Sequence, residues 1–284
     1  MSDVLVVAGH ALRESLRRRV FAVVVGLTLA FGALYTWGTS ELFQDVNDFG
    51  GNQFGLDPRA LAGATILGLA MFGTLFLGVV LAVFLTLGAV RGDAERGLLQ
   101  PLIVRPLGRR QYLAGRFLAA ATVSGAYVLL VYAGAVVMTG LIGDWWPTQP
   151  VGAGIRLAAA VVVVAALALL GSIFLSANAN GIAILMVFGA GLLAGLLGSI
   201  GDALNSHTLQ AIANTSSWLL PFEALYRDAL RVLVAEVPGV TGAIVQLGPL
   251  GGSHDAGPLL APYTVAYLAA VGALAAVTFA RTDL

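Results

Sequence analysis

The strongest constraint on this chain is a set of six long apolar runs that carry almost no charge. They cover roughly 20–38, 60–90, 112–142, 155–175, 182–200 and 263–280. No Asp, Glu, Lys or Arg lies within 60–90, 117–143, 157–201 or 256–280. A helix needs about 20 mostly apolar residues to cross the hydrocarbon core of a bilayer. Each run is about that long, and the second and third exceed it, which a tilted or projecting helix accommodates. The runs are continuous and do not alternate polar with apolar, so they do not read as the strands of a membrane barrel. Composition agrees: 58% of residues are apolar and 11% charged, against about 25% charged in soluble domains. The expected fold is an all-α integral membrane protein with six transmembrane helices.

The same composition excludes several functions. Net charge is zero, without the basic excess of a nucleic-acid binder, so no nucleic acid is expected as a partner. Cysteine is absent, which removes disulfides, thiolate metal sites and cysteine nucleophiles. All 15 basic residues are arginine; with no lysine, the chain has no G-x-x-x-x-G-K-[ST] loop for hydrolysing a nucleotide. His10, His207 and His254 are too scattered for a metal-ligand pattern. Neither a catalytic residue nor a metal site is expected. The spans also lack the acidic or histidine relays of ion-coupled carriers. Transport by this chain would draw its energy from another subunit.

Arginine placement sets the orientation, because loops on the cytoplasmic side carry the excess of positive charge. Arg13, Arg17, Arg18 and Arg19 precede the first run, Arg91, Arg96, Arg105, Arg109, Arg110 and Arg116 surround the second-to-third connection, and Arg281 follows the last run. Only Arg59, Arg156, Arg227 and Arg231 fall on the other side. Both termini are therefore expected in the cytoplasm, with the acidic 39–59 loop outside. No small-x-small motif closes the first run, so it reads as a retained span and not a cleaved leader. Before it, Val4, Leu5, Ala8, Leu12 and Leu16 recur at helical spacing opposite Arg13, Glu14, Arg17 and Arg18, the pattern of a helix lying in the headgroup region.

Three further segments carry information. In 91–111, Gly92 permits a tight turn, Asp93 suits an N-cap and Glu95 the positive end of a short helix. Leu98, Leu99, Leu102 and Ile103 give that helix an apolar face, Pro101 interrupts it, and Pro106 ends it at or before Arg105. It reads either as a docking helix or as a loop lying on the membrane. In the long 202–262 connection, Leu219, Phe222, Tyr226, Leu230 and Leu233 form an apolar stripe. Glu223, Arg227 and Arg231 form the opposite face. This segment is too short and too charged to cross, so a re-entrant or interfacial helix is expected at the outer mouth. In the fifth run, Gly189, Gly191, Gly195 and Gly198 mark a close helix approach, inside the bundle or between subunits. Trp145 and Trp146 read as interfacial anchors, and Asn178 and Asn180 as a tight cytoplasmic turn.

The 91–116 stretch resembles the cytoplasmic signature of ABC-2-type permeases, the membrane subunits of ABC exporters. The pattern E-x-G, then P-x-x-R and Y-x-x-G-[KR], falls on Glu95, Gly97, Pro106, Arg109, Tyr112, Gly115 and Arg116. The Arg13–Arg19 start resembles the family's interfacial elbow, and the chain is similar to its short six-span subgroup, found in antibiotic-export and copper-centre maturation operons. The resemblance implies a permease domain over 1–284: elbow 1–19, spans 20–90, coupling loop 91–111, spans 112–201, an extracellular loop 202–262 and a last span with tail 263–284. It implies that Asp93, Glu95, Arg96, Gly97, Leu98, Leu99, Leu102 and Arg105 meet a cytoplasmic ATPase, and that ATP and magnesium are bound there and not in this chain. Leu219, Phe222, Glu223, Tyr226, Arg227 and Leu230 would form an outer gate. A surface helix covering the bundle is the plain alternative. The expected protein is a plasma-membrane exporter subunit paired with a second copy or a related permease. A membrane scaffold without a transport cycle is the rival reading.

Overall fold

The computed structural model describes residue 9 and residues 19–48, 57–87, 89–90, 108–234 and 257–281. Among these, eight helices follow one another: α1 (Arg19–Asp48), α2 (Pro58–Thr86), α3 (Arg109–Gly143), α4 (Pro150–Phe174), α5 (Ala177–Ala203), α6 (His207–Leu219), α7 (Pro221–Val234) and α8 (Leu260–Arg281). Six of them, α1 to α5 and α8, are long and apolar enough to cross a membrane. The expected elbow residues Arg13, Arg17 and Arg18 lie outside the described residues; so does the expected coupling segment with Asp93, Glu95, Arg96, Gly97, Leu98, Leu99, Leu102 and Arg105. Arg19 opens α1, but its side chain is also outside the description.

Local chemistry fixes where the helices begin and end. Asp57 caps α2: its carboxylate accepts the backbone N–H groups of Arg59 at 3.0 Å and Ala60 at 3.2 Å, which have no partner inside the helix. Pro58 fills the first position, where a missing N–H costs nothing. Pro150 does the same for α4. At the α4–α5 turn the chain needs only Leu175 and Ser176 to reverse. Asn178 and Asn180 are not in that turn, as expected from sequence, but in the first turn of α5. Asn180 is fully buried and donates its side-chain N–H to the Ala168 carbonyl at 2.9 Å, which staples the two helices together.

The first helix departs from expectation. It runs to Asp48, about ten residues past the end of its apolar run, so the start of the anticipated 39–59 loop is helical. The cause is a contact beyond the apolar run: Phe43 is buried against Gly143 at the end of α3, whose bare Cα leaves room for the ring. At the same end Trp145 packs on Gly63 of α2 and the exposed Trp146 covers Gly140.

Helices α2 and α4 form the centre of the bundle. Leu67, Met71, Leu75 and Val79 of α2 meet Leu157, Val161 and Val164 of α4 and Val128 of α3 in one apolar core. Helices α1 and α8 stand at the periphery. Leu29, Leu34, Val265 and Leu274 on them are more than half exposed, as lipid-facing residues are. A second, smaller core joins Ala89, Val90, Tyr112, Leu113, Ile173 and Phe279 at the end of the bundle where α2 stops and α3 starts. That end carries Arg110, Arg116 and Arg281. Arg156, Arg227 and Arg231 gather at the opposite end.

Candidate functional site

Helices α6 and α7 have 13 and 14 residues, or about 20 Å each, too short to cross a core of about 30 Å. They join at Leu220, whose N–H bonds the Ser216 carbonyl at 2.7 Å and closes α6. Pro221 then opens α7. The single helix expected to carry the stripe from Leu219 to Leu233 is thus broken into two, because proline cannot continue the first. Leu219 falls on the wrong side of that break. It ends α6, is 66% exposed, and does not join the apolar stripe. Phe222, Tyr226, Leu230 and Leu233 do form the stripe and are all buried.

The two short helices form a hairpin that descends along α5. Gly201, at the end of α5, faces Leu209 and Gln210 of α6; Gly198 faces Ala213; Gly195 faces Glu223 of α7; Gly191 faces Leu220 and Phe222. A Cβ on Gly195 would lie 2.1 Å from Glu223 Oε1, and one on Gly191 2.5 Å from the Phe222 ring. Ten residues of helix separate Gly201 from Gly191, about 15 Å, so the hairpin tip reaches the middle of α5. The glycine spacing seen in sequence is an internal packing surface. Helix α7 returns beside α4, where Val232 meets Gly152 near that helix's start. Helix α7 is therefore built into the bundle, whereas α6 lies along α5 largely exposed, with Ala213 its buried residue.

Helix α8 holds the hairpin from the far side. Tyr263 donates its hydroxyl to the Trp218 carbonyl, and Tyr267 to the Leu219 carbonyl at 2.9 Å. These are last-turn carbonyls that α6 cannot satisfy itself. The Trp218 and Tyr263 rings meet edge to face at 4.7 Å.

Two of the three residues of the expected polar face of α7 are buried too: Glu223 is 4% exposed and Arg227 9%, while Arg231 is only partly buried. Asp228, 5% exposed, joins them. Asp228 holds two cations: Arg156 of α4 at 2.5 Å and Arg231 at 3.0 Å. This pair of contacts ties α7 to α4. Arg227 Nε stands 3.6 Å from Glu223 Oε1, an ion-pair distance longer than a hydrogen bond. Burial pushes the Glu223 carboxyl up from its ordinary 4.5 to about 7; the positive charge of Arg227 opposes the rise and does not cancel it. Sequence periodicity missed this burial because a charged stripe reads as solvated. The available signal was the glycine row on α5, which leaves space beside the charges.

Above Glu223 and Arg227 the hairpin, α5 and α8 enclose a cavity of about 360 Å³. Gln210, Asn214, Trp218 and Tyr263 complete its polar wall, and Gln210 donates to Asp202 at 3.0 Å. Among the described residues no three His, Asp or Glu side chains cluster as metal ligands, and the cavity presents no nucleophile paired with a base. It can hydrate, bind or open.

At the other end, the residues flanking the coupling segment are fixed. The Tyr112 hydroxyl donates to the Ala89 carbonyl at 2.8 Å, and Arg116 Nε donates to that hydroxyl at 3.1 Å. Tyr112 also packs on Phe279 of α8, 6.4 Å between ring centres. Tyr112 and Arg116 of the Y-x-x-G-R pattern thus tie the two ends of the 91–107 connection to each other and to the last span.

A family model described as "ABC-2 family transporter protein" matches residues 5–284. No curated protein matches the chain.

Two outcomes follow from the hairpin geometry. Gly195→Ala forces a methyl group onto Glu223 and should destabilise the protein by about 1–3 kcal/mol. In a Glu223→Ala background the same change should cost nothing, which thermal unfolding of the four proteins in one detergent measures. The raised carboxyl also predicts a pH dependence. The folded protein keeps the Glu223 proton between about 4.5 and 7, where the unfolded chain has lost it. The stability this contributes is full below about 4.5 and disappears as pH rises through about 7. Glu223→Gln should flatten that fall, read as melting temperature against pH.

Proposed function

The chain belongs to the ABC-2 transporter family and is a multi-pass membrane subunit of an ABC transporter; from that premise we propose that it is the permease of an exporter, driven by a separate cytoplasmic ATPase. The family match over nearly the whole chain carries this reading. ATP and magnesium belong to the partner, since a chain without lysine has no P-loop of its own. The arginine-rich end, with Arg110, Arg116 and Arg281, faces the cytoplasm of a plasma-membrane protein whose termini are both inside. Two permease chains, identical or related, complete the transporter.

In this mechanism the ATPase presses on the segment that carries Asp93, Glu95, Arg96, Gly97, Leu98, Leu99, Leu102 and Arg105. The push enters the bundle through the Tyr112–Ala89 hydrogen bond and the Tyr112–Phe279 contact, so α2, α3 and α8 receive it together. At the outer end the α6–α7 hairpin is the gate. Phe222, Tyr226 and Leu230 seat it on α4 and α5. Glu223 and Arg227 lie under the outer cavity, and Leu219 stands free at the tip. Opening the gate pulls a charged helix past the glycine face of α5, a two-position motion of packed elements. The cargo is apolar or amphipathic, in keeping with the uncharged spans.

Co-expression with an ABC ATPase sought among the genes adjacent to this one tests the reading. Replacing 93–105 by a Gly/Ser linker should abolish co-purification of the ATPase and leave the permease folded. Co-purification that survives the replacement would place the ATPase contact elsewhere.

A further inference from the structure

We infer that the groove between α3, α4 and α8 at the arginine-rich end is a binding site for an anionic phospholipid. The groove has a volume of about 270 Å³. Leu113 and Phe117 of α3, Leu169 of α4, and Leu268 and Gly272 of α8 line it, and among the described residues Arg110 is the only polar one on its wall. Leu113 and Leu169 form a buried floor. Gly272 leaves its side open, since nothing lies within 4 Å of where a Cβ would stand. Arg110 is exposed, and no carboxylate among the described residues pairs with it.

This shape is that of a lipid. The Tyr112–Phe279 contact sets the first turn of α3 level with the end of α8, where Arg281 also stands. Arg110 therefore lies at the headgroup level of one leaflet. From there to Leu268 the groove follows about three turns of α8, roughly 16 Å, which is half of a core about 30 Å thick and so the depth of one leaflet. An acyl chain fills the apolar trough while the arginine holds a phosphate; basic pockets between membrane helices recognise anionic headgroups in this way. A phosphate neutralises Arg110, whereas the arginine-rich segment before α1, with Arg13, Arg17 and Arg18, would bring it more positive charge. The site is independent of the direction in which the subunit moves its cargo.

Native mass spectrometry of the purified full-length protein, with dioleoylphosphatidylglycerol or dioleoylphosphatidylcholine added in detergent, tests the site. The protein should retain the anionic lipid about fivefold over the neutral one, the gain expected of one arginine at a membrane surface. Arg110→Gln should bring the two near parity. Gly272→Leu, placed where the structure has open space, should reduce retention of both, with the melting temperature in lipid-free detergent unchanged for either variant. Equal retention of the two lipids by the unaltered protein would overturn the proposal, as would full retention by either variant. So would disulfide-linked dimers of Ala276→Cys, which would make the groove a contact between copies, or a rise in retention on deleting residues 1–18, which would make it the seat of that segment.

Discussion

The half of this protein that holds the α6–α7 hairpin depends on a row of glycines on one face of α5. Gly191, Gly195, Gly198 and Gly201 remove every side chain that would otherwise keep a neighbour away. Without lipid-excluded hydrophobic collapse to drive them together, membrane helices associate through close packing and hydrogen bonds, and small residues make that packing possible. Here the space is filled by two short helices and not by another span. Phe222, Glu223, Ala213 and Gln210 fill the positions that glycine vacates. One methyl group at Gly195 would displace a buried carboxylate, so the Glu223 side chain could not lie where it does.

That packing explains how a strongly charged helix sits inside an apolar bundle. Buried charges persist only when they are paired. Asp228 meets this condition with two arginines, one from α4 and one from its own helix. Glu223 meets it only partly, with Arg227 at 3.6 Å; burial raises its carboxyl above the usual range, and Arg227 offsets only part of the rise. The middle stretches of the spans carry no charge of their own: their charged side chains stand near the two ends, Arg59 and Arg156 at one and Arg110, Arg116 and Arg281 at the other, and the charges of α7 are brought in beside them by the hairpin. A transporter subunit needs both ends to respond to each other, and α2, α3 and α4 run unbroken between them.

Much of this was legible in the sequence. Six spans follow from uncharged apolar length, which no soluble core imitates, and the described helices contain all six. Pro58 and Pro150 mark their starts by the same rule that splits 217–234 at Pro221, although the sequence reading placed that proline inside one helix. The extension of α1 was not legible, since Phe43 finds Gly143 only after folding. Nor was the burial of Glu223 and Arg227, because i,i+4 charges look the same on a wet face and in a glycine-lined slot. Asn180 reads as a turn former and proves to be a buried staple. The residues from Asp93 to Arg105, expected to couple to an ATPase, lie outside the described residues, and only the flanking Ala89 and Tyr112 are placed.

The central claim is that the α6–α7 hairpin re-enters the membrane to the middle of α5. Depth measurement by electron spin resonance tests it directly, and the absence of cysteine leaves no background label. A spin label at Leu219, at the exposed tip, should be relaxed by oxygen and shielded from a water-soluble nickel complex, as in the hydrocarbon region. A label at His207, at the hairpin's start, should show the reverse. If the Leu219 label is as accessible to nickel as the His207 label, the hairpin lies at the surface and the account is wrong.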